Sequence, residues 1–342
     1  MAQCGIDRID GLFAGRADAS PISEGDPDRQ SVGVVQDLLA GQGQRGLPNL
    51  LSASYGVFGA VTASAVQSFR KLQNLPDGQQ VDSGFVRSLV CTSAASPMIS
   101  RGYLTFVLDI AYAGLAKVLS VVAQMEGAGK FAALNLNTDC AGLSFGLIQW
   151  AQRPGRLAEI LNAFNQAGRS DFVQIFGSGS AIVADGLLAH TKKPSGGVDP
   201  KTGATTDPAF DLVREPWVSR FRRAALSIAF QKVQVQTALS AFEDSCAQIR
   251  KFAPEVRSEQ GMAFMIDVAN QFGNGGVCNL YKAVRRDGMS ETTLLQAIAT
   301  ESVNRIQTAF KAGTDARRQS FLATNFLSDA PLVDAVGGDR PA

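Results

Sequence analysis

The sequence predicts a mainly α-helical protein made of a small three-helix module and a larger, mostly helical α+β domain. Three observations carry this expectation. Apolar residues recur at helical spacing along much of the chain, strand-like alternation is scarce, and 342 residues exceed what one core of about 250 to 300 residues organises. Hydrophobic residues make up 45% of the sequence and charged residues 18%, so the apolar surface needed for a substantial core is present.

Residues 1–30 are rich in Asp, Gly, Ser and Pro without a sustained period, and they predict a loosely ordered leader. From Ser31 the pattern changes. Val34, Val35, Leu38 and Leu39 recur at helical spacing, and after the turn-rich Tyr55-Gly56-Val57-Phe58-Gly59 so do Ala65, Val66, Phe69, Leu72 and Leu75. Asp77-Gly78 makes a turn, and Phe85, Val86, Leu89 and Val90 predict a third helix that closes a module over residues 31–92. Thr92-Ser93-Ala94-Ala95-Ser96-Pro97 lacks large apolar residues and predicts a linker over residues 93–102.

The second domain is expected over residues 103–327. Its first helix starts at Leu104, aligns Val107, Ala111, Gly114, Val118, Val121 and Met125 on one stripe, and ends at Glu126-Gly127-Ala128-Gly129. The Leu104–Met125 stretch is apolar enough to raise a membrane span. Asp109 and Lys117 lie inside it, however, each costing about 2.5 to 3.5 kcal/mol near a bilayer centre, so a buried core helix is the expectation. The run from His190 to Ala209, with Val198 as its one large apolar residue, predicts a mobile surface loop. Pro216 is expected to open a helix carrying Trp217, Phe221, Leu226, Ile228 and Val233. Another runs from Gln260 to Phe272 and stops at Gly273-Asn274-Gly275-Gly276, and Ser290 caps a further one. Residues 328–342 read as a Gly/Pro/Asp tail.

A formal net charge of +1 gives no long-range field for nucleic acid or an anionic membrane, and a neutral sugar polymer suits this balance better. The single histidine, His190, excludes the His-rich ligand sets of zinc amidases and zinc peptidases. The five cysteines are odd in number and widely spaced, as free thiols made in a reducing cytoplasm would be. The N-terminal thirty residues contain no basic segment followed by an apolar one, so no signal peptide is expected.

Glu126 is the last side chain before a glycine stop. There it faces the negative end of the helix dipole among apolar neighbours, and both push its pKa upward, as a general acid near neutral pH requires. A second carboxylate, Asp139, arrives thirteen residues later on the polar turn of Asn135-Leu136-Asn137-Thr138-Asp139-Cys140-Ala141-Gly142. The segment Leu143–Trp150 then returns as a strand or enters a helix. Two carboxylates across a cleft are the working parts of most glycosidases. Asn135, Gln149, Trp150, Asn270 and Gln271 are candidates to line a sugar groove, with an aromatic face for a pyranose ring and amides for its substituents. Core packing or helix capping is the plainer role for each. Cys140 and His190 raise a cysteine peptidase instead, although no orienting acid beyond Asp185 is evident.

Two resemblances bear on these residues. Gly56-Val57-Phe58-Gly59, Thr62, Ala65-Val66, Phe69, Leu75-Pro76-Asp77-Gly78 and Val81-Asp82 resemble the three-helix peptidoglycan-binding domains fused to wall hydrolases, although Gln79-Gln80 intervenes and the tryptophan common in their last helix is absent. The second resemblance joins Glu126, the loop Asp139-Cys140-Ala141-Gly142-Leu143-Ser144-Phe145-Gly146, Gln149-Trp150 and Arg153-Pro154-Gly155-Arg156-Leu157. That set is similar to phage-type endolysins of the lysozyme superfamily and, more distantly, to family 46 chitosanases. The likeness extends through Glu215-Pro216-Trp217-Val218-Ser219-Arg220-Phe221 and Asp267-Val268-Ala269-Asn270-Gln271-Phe272-Gly273. It implies Glu126 as acid, Asp139 as base and Ser144 as the hydroxyl that holds the attacking water, in a lysozyme-like domain. Cys140 departs from the glycine usual after the loop Asp.

The expected function is cleavage of peptidoglycan glycan strands; if the distant likeness to family 46 chitosanases governs the mechanism, it implies carboxyl groups about 6.5 to 9.5 Å apart and inversion at the anomeric carbon. A chitosanase and a non-catalytic wall-binding protein are the alternatives. The expected partners are the glycan strands and an immunity or delivery protein, with no nucleic acid, membrane span, cofactor or metal, and the chain is expected to be a monomer. Synthesis in the cytoplasm followed by release or delivery to the wall is expected.

Overall fold

The computed structural model describes residues 4, 6–48, 52–93, 114–324 and 327–332. The expected linker, from residue 94 on, and the start of the Leu104 helix lie outside these residues. Among the described residues the chain is mainly helical, with one small antiparallel sheet. Contacts divide it into two compact units, one gathering residues 123–238, the other the described residues up to 93, 114–122 and those from 239 on.

The second of these units opens with α1, Asp7–Ala14. A loosely ordered leader was expected here because the stretch lacks a sustained period, but four apolar residues suffice to seat it: Ile6, Ile9, Leu12 and Ile22 are buried. Gly15, at φ 75°, ends the helix in the left-handed region that glycine tolerates. Ile22 then pairs with Val81 as an isolated antiparallel bridge, and Arg8 pairs with Asp26 at 2.7 Å.

Helices α2 (Arg29–Gly41), α3 (Ala60–Leu72) and α4 (Ser83–Ser93) lie where the sequence predicts three helices, and α1 packs on α4. Asp28 caps α2 by accepting from the Ser31 amide. Val66, Phe69, Phe85 and Leu89 fill the core, with the Phe69 and Phe85 rings edge-to-face at 5.2 Å. The sequence motifs have local causes. Buried Gln36 donates to Val57 O and Thr62 Oγ1 and accepts from the Gly56 amide, which fixes the Gly56–Gly59 turn. Buried Arg70 donates to Pro76 O and Gln80 O and pairs with Asp82, tying down the Asp77-Gly78 turn, while Asp82 also caps α4 through the Phe85 amide.

In the rest of this unit, α11 (Glu259–Val284), α12 (Glu291–Asn304) and α13 (Lys311–Ala323) pack on one another. Ser258 and Ser290 cap α11 and α12. The stop expected at Gly273 is a break at φ 73°, after which helical turns resume. Asp267, fully buried, is held by Arg317 and Arg318, two guanidinium groups that satisfy a carboxylate otherwise very costly to bury.

The unit of residues 123–238 begins with the end of α5 (Gly114–Gly127). Strands β1 (Leu134–Leu136), β2 (Leu143–Phe145) and β3 (Trp150–Ala151) then form an antiparallel sheet in that order. Helices α6 (Arg156–Ala167), α7 (Arg169–Phe176), α8 (Ala181–Thr191) and α9 (Trp217–Ala224) follow, and α10 (Ile228–Phe252) starts here. Phe145, Phe164, Phe172, Phe176, Phe221 and Phe230 make one aromatic cluster, the Phe164 and Phe230 rings stacking at 4.3 Å. No single helix among the described residues is long and apolar enough to cross a membrane.

The run 190–209 corrects the expectation of a mobile loop. Its composition is polar, but its polar groups are spent on the fold. Val198 bridges Thr205, the Asp199 carboxylate accepts from the Thr202 amide at 2.8 Å, and Trp217 Nε1 donates to Ala209 O. Val198 is buried.

Candidate functional site

Glu126 stands one residue before the end of α5 and is half-buried. The helix stops because Ala128 (φ 51°) and Gly129 (φ 69°) turn left-handed, and the Gly129 amide reaches back to Ala123 O at 3.0 Å. This end abuts the sheet. A Cβ on Gly127 would come within 2.7 Å of Ala133 Cβ and 3.4 Å of Gly146 O, with Gln149 Nε2 close behind. The Glu126 charge also reaches the Arg156 guanidinium at the start of α6. Burial pushes Arg156 below its ordinary pKa, while the carboxylates of Glu159 and Glu126 oppose that shift.

In the sheet, Ser144 lies opposite Asn135 on one side and Ala151 on the other, so these three share a face. Phe145 pairs with Leu134 and Trp150 on the opposite face. Ser144 is buried. Asn135 Oδ1 accepts from the amide and hydroxyl of Thr138, shaping the β1–β2 turn. Gln149, at φ 52°, donates through Nε2 to Gly146 O at 3.0 Å and Ala133 O at 3.3 Å, closing the opposite end of the hairpin.

Asp139 sits exposed in the β1–β2 turn, its Oδ1 accepting from the Ala141 amide at 3.3 Å. Cys140 beside it is exposed and left-handed at φ 58°, where a Cβ is strained and glycine is not. The turn is braced from outside. Asn137 Nδ2 donates to Thr202 O, Asn137 Oδ1 accepts from the Gly142 amide, and Gly203 lies so close that a Cβ there would come within 2.0 Å of Asn137 Oδ1. Nearby, Gln152 Nε2 donates to Gly196 O and Arg153 to Pro200 O. The 194–206 segment is thus the outer support of the Asp139 turn.

The end of α5, at Gly127 beside Glu126, therefore meets the sheet at the Ala133 and Gly146 end, while Asp139 lies on the turn beyond the other end of β1.

One groove residue is corrected. Trp150, 1% exposed, is core, and its ring lies against Gly146, so it presents no face to a sugar. Gln271 lies on α11 in the other unit, where Oε1 accepts from Arg318 Nη2 at 2.5 Å; Asn270 precedes it there. His190 is 1% exposed, stacks on Phe210 at 5.1 Å, and neither of its ring nitrogens has a hydrogen-bond partner, so it does not activate Cys140. The residue not anticipated is Arg156. Its signal was its position, first in a helix that opens directly after the β3 turn.

No family model and no curated protein matches the chain. Among solved structures it is similar to a mutant chitosanase from Bacillus subtilis MY002 complexed with 6 GlcN, at 13% identity and a TM-score of 0.42, over 61% of this chain and 83% of that one.

Proposed function

We propose that the chain is a glycoside hydrolase of bacterial peptidoglycan, in which Glu126 is the general acid, Asp139 the base and Ser144 a positioning hydroxyl. The observation that carries the reading is the placement of two carboxylates at opposite ends of a short sheet. Glu126 sits at a helix terminus against one end, and Asp139 lies solvent-accessible on the turn at the other. An inverting reaction needs the two carboxyl groups about 6.5 to 9.5 Å apart, which leaves room for a water between them. Glu126 is half-buried at the end of α5, where a substrate bound against the sheet would meet it. The sequence likeness of residues 31–92 to wall-binding modules supports a wall substrate, and the near-neutral chain suits chitosan, a polycation, less well.

The test is digestion of purified sacculi by the wild type and Glu126→Gln, with reducing ends and free amines followed separately. New reducing ends that fall by at least about a hundredfold in the variant are expected, the scale of losing an acid catalyst. Reducing ends unchanged by the substitution, or free amines alone, would overturn the assignment.

A further inference from the structure

A cavity of about 350 Å³ lies in the unit of residues 123–238, between the start of α6 and the segment after α8. Arg153, Lys192 and Lys193 line it, together with Thr191, Ser195 and the backbone of Gly155, and no lining residue is acidic. The cations are not spent elsewhere. Arg153 donates to Pro200 O and Lys192 to Asn162 Oδ1, both neutral acceptors, and among the described residues no carboxylate pairs with any of the three. In a chain whose net charge is only +1, three unpaired cations around one small cavity are a local concentration, and an anion there relieves their mutual repulsion. The positive end of the α6 dipole adds to this, since no side chain caps that helix at Gly155. Arg156, the next residue, is the one the Glu126 charge reaches.

We propose that this cavity is a carboxylate subsite, which takes a free carboxyl group of the peptide stem carried by the glycan and disfavours cationic amino sugars. The proposal rests on the hydrolase reading for its ligand, and its geometry joins the subsite to Glu126 through the first turn of α6. The Ser195 hydroxyl lies on the same rim, while the Thr191 hydroxyl is spent on Leu187 O and Leu188 O.

The test separates binding from cleavage. Full-length protein is titrated calorimetrically with a muramyl tetrapeptide, which has no internal glycosidic bond, and with the same compound fully amidated. The free acid is expected to bind about tenfold more tightly at low salt, and the combined Arg153→Gln, Lys192→Gln, Lys193→Gln variant should abolish that difference while leaving the amidated affinity unchanged. Equal or undetectable affinities in the wild type, equal weakening toward both compounds in the variant, or tighter binding of a glucosamine hexamer would overturn the proposal. The wild-type comparison holds even if the triple variant does not fold. Charge-selective binding without release of reducing ends from sacculi would keep the subsite and overturn the hydrolase reading.

Discussion

At Cys140 a single Cβ decides the backbone energetics of the Asp139 turn. A non-glycine residue at φ 58° costs about 1 to 2 kcal/mol, and glycine recovers most of this against its own larger unfolded-state entropy. Cys140→Gly is therefore expected to stabilise the protein by about 0.5 to 1 kcal/mol, read as a shift in the denaturant midpoint at constant slope. Trp150 separates packing from recognition. Trp150→Ala should cost about 3 to 5 kcal/mol, read as a lowered denaturant midpoint, whereas a ring that only stacked on a sugar would leave the unfolding curve in place. The sequence offered Trp150 both roles because an aromatic beside a turn serves either; only its pairing with Phe145 on the inner face decides.

Among the elements, the end of α5 against the sheet is the most exacting contact near Glu126. Gly127→Ala places a methyl 2.7 Å from Ala133 Cβ, an overpacking of about 1 to 3 kcal/mol that displaces the helix end from the hairpin. Turnover on sacculi is expected to fall about ten- to a hundredfold with only a modest loss of melting temperature. A variant that melts lower but turns over normally would show that this contact does not position the acid. Helical periodicity made α2, α3, α4 and the Gly273 break legible in the sequence, because the amphipathic stripe and the glycine both act within a few residues. The helix α1 was not legible, since its burial depends on the distant Val81 bridge. Arg156 stood in a quoted motif without a role, and the three-cation cavity was not legible at all, because their meaning lies in what the fold sets beside them.

For the whole molecule, the pH dependence of stability between neutrality and the carboxylate range turns on one side chain, because His190 is the single histidine; below that range Asp26, Asp82 and Glu255, whose carboxyl pKa values are lowered, add their own losses. Burial holds His190 below its ordinary value of 6.5, Lys193 adds to the effect, and Asp207 opposes it. A folded-state pKa below the unfolded one means that the unfolded chain binds the extra proton first. The His190 contribution is therefore present in full above pH 6.5 and is lost as the pH falls from there through its folded value. Equilibrium unfolding at a series of pH values should show that loss, and His190→Leu should flatten it. The segment after His190 has the composition of a stretch that proteases cut, with Lys192, Lys193 and Lys201 exposed. Yet its backbone is tied to Asn137, Gln152 and Trp217, and His190 itself lies against Gly197. A protease needs an extended, unpaired stretch in its cleft, so trypsin should spare Lys192 and Lys201 near neutral pH and nick the chain there only as fast as the clasp opens, the Lys193–Pro194 bond resisting it in either state. That susceptibility is a clock for local opening, and it should run faster once His190 takes up its proton.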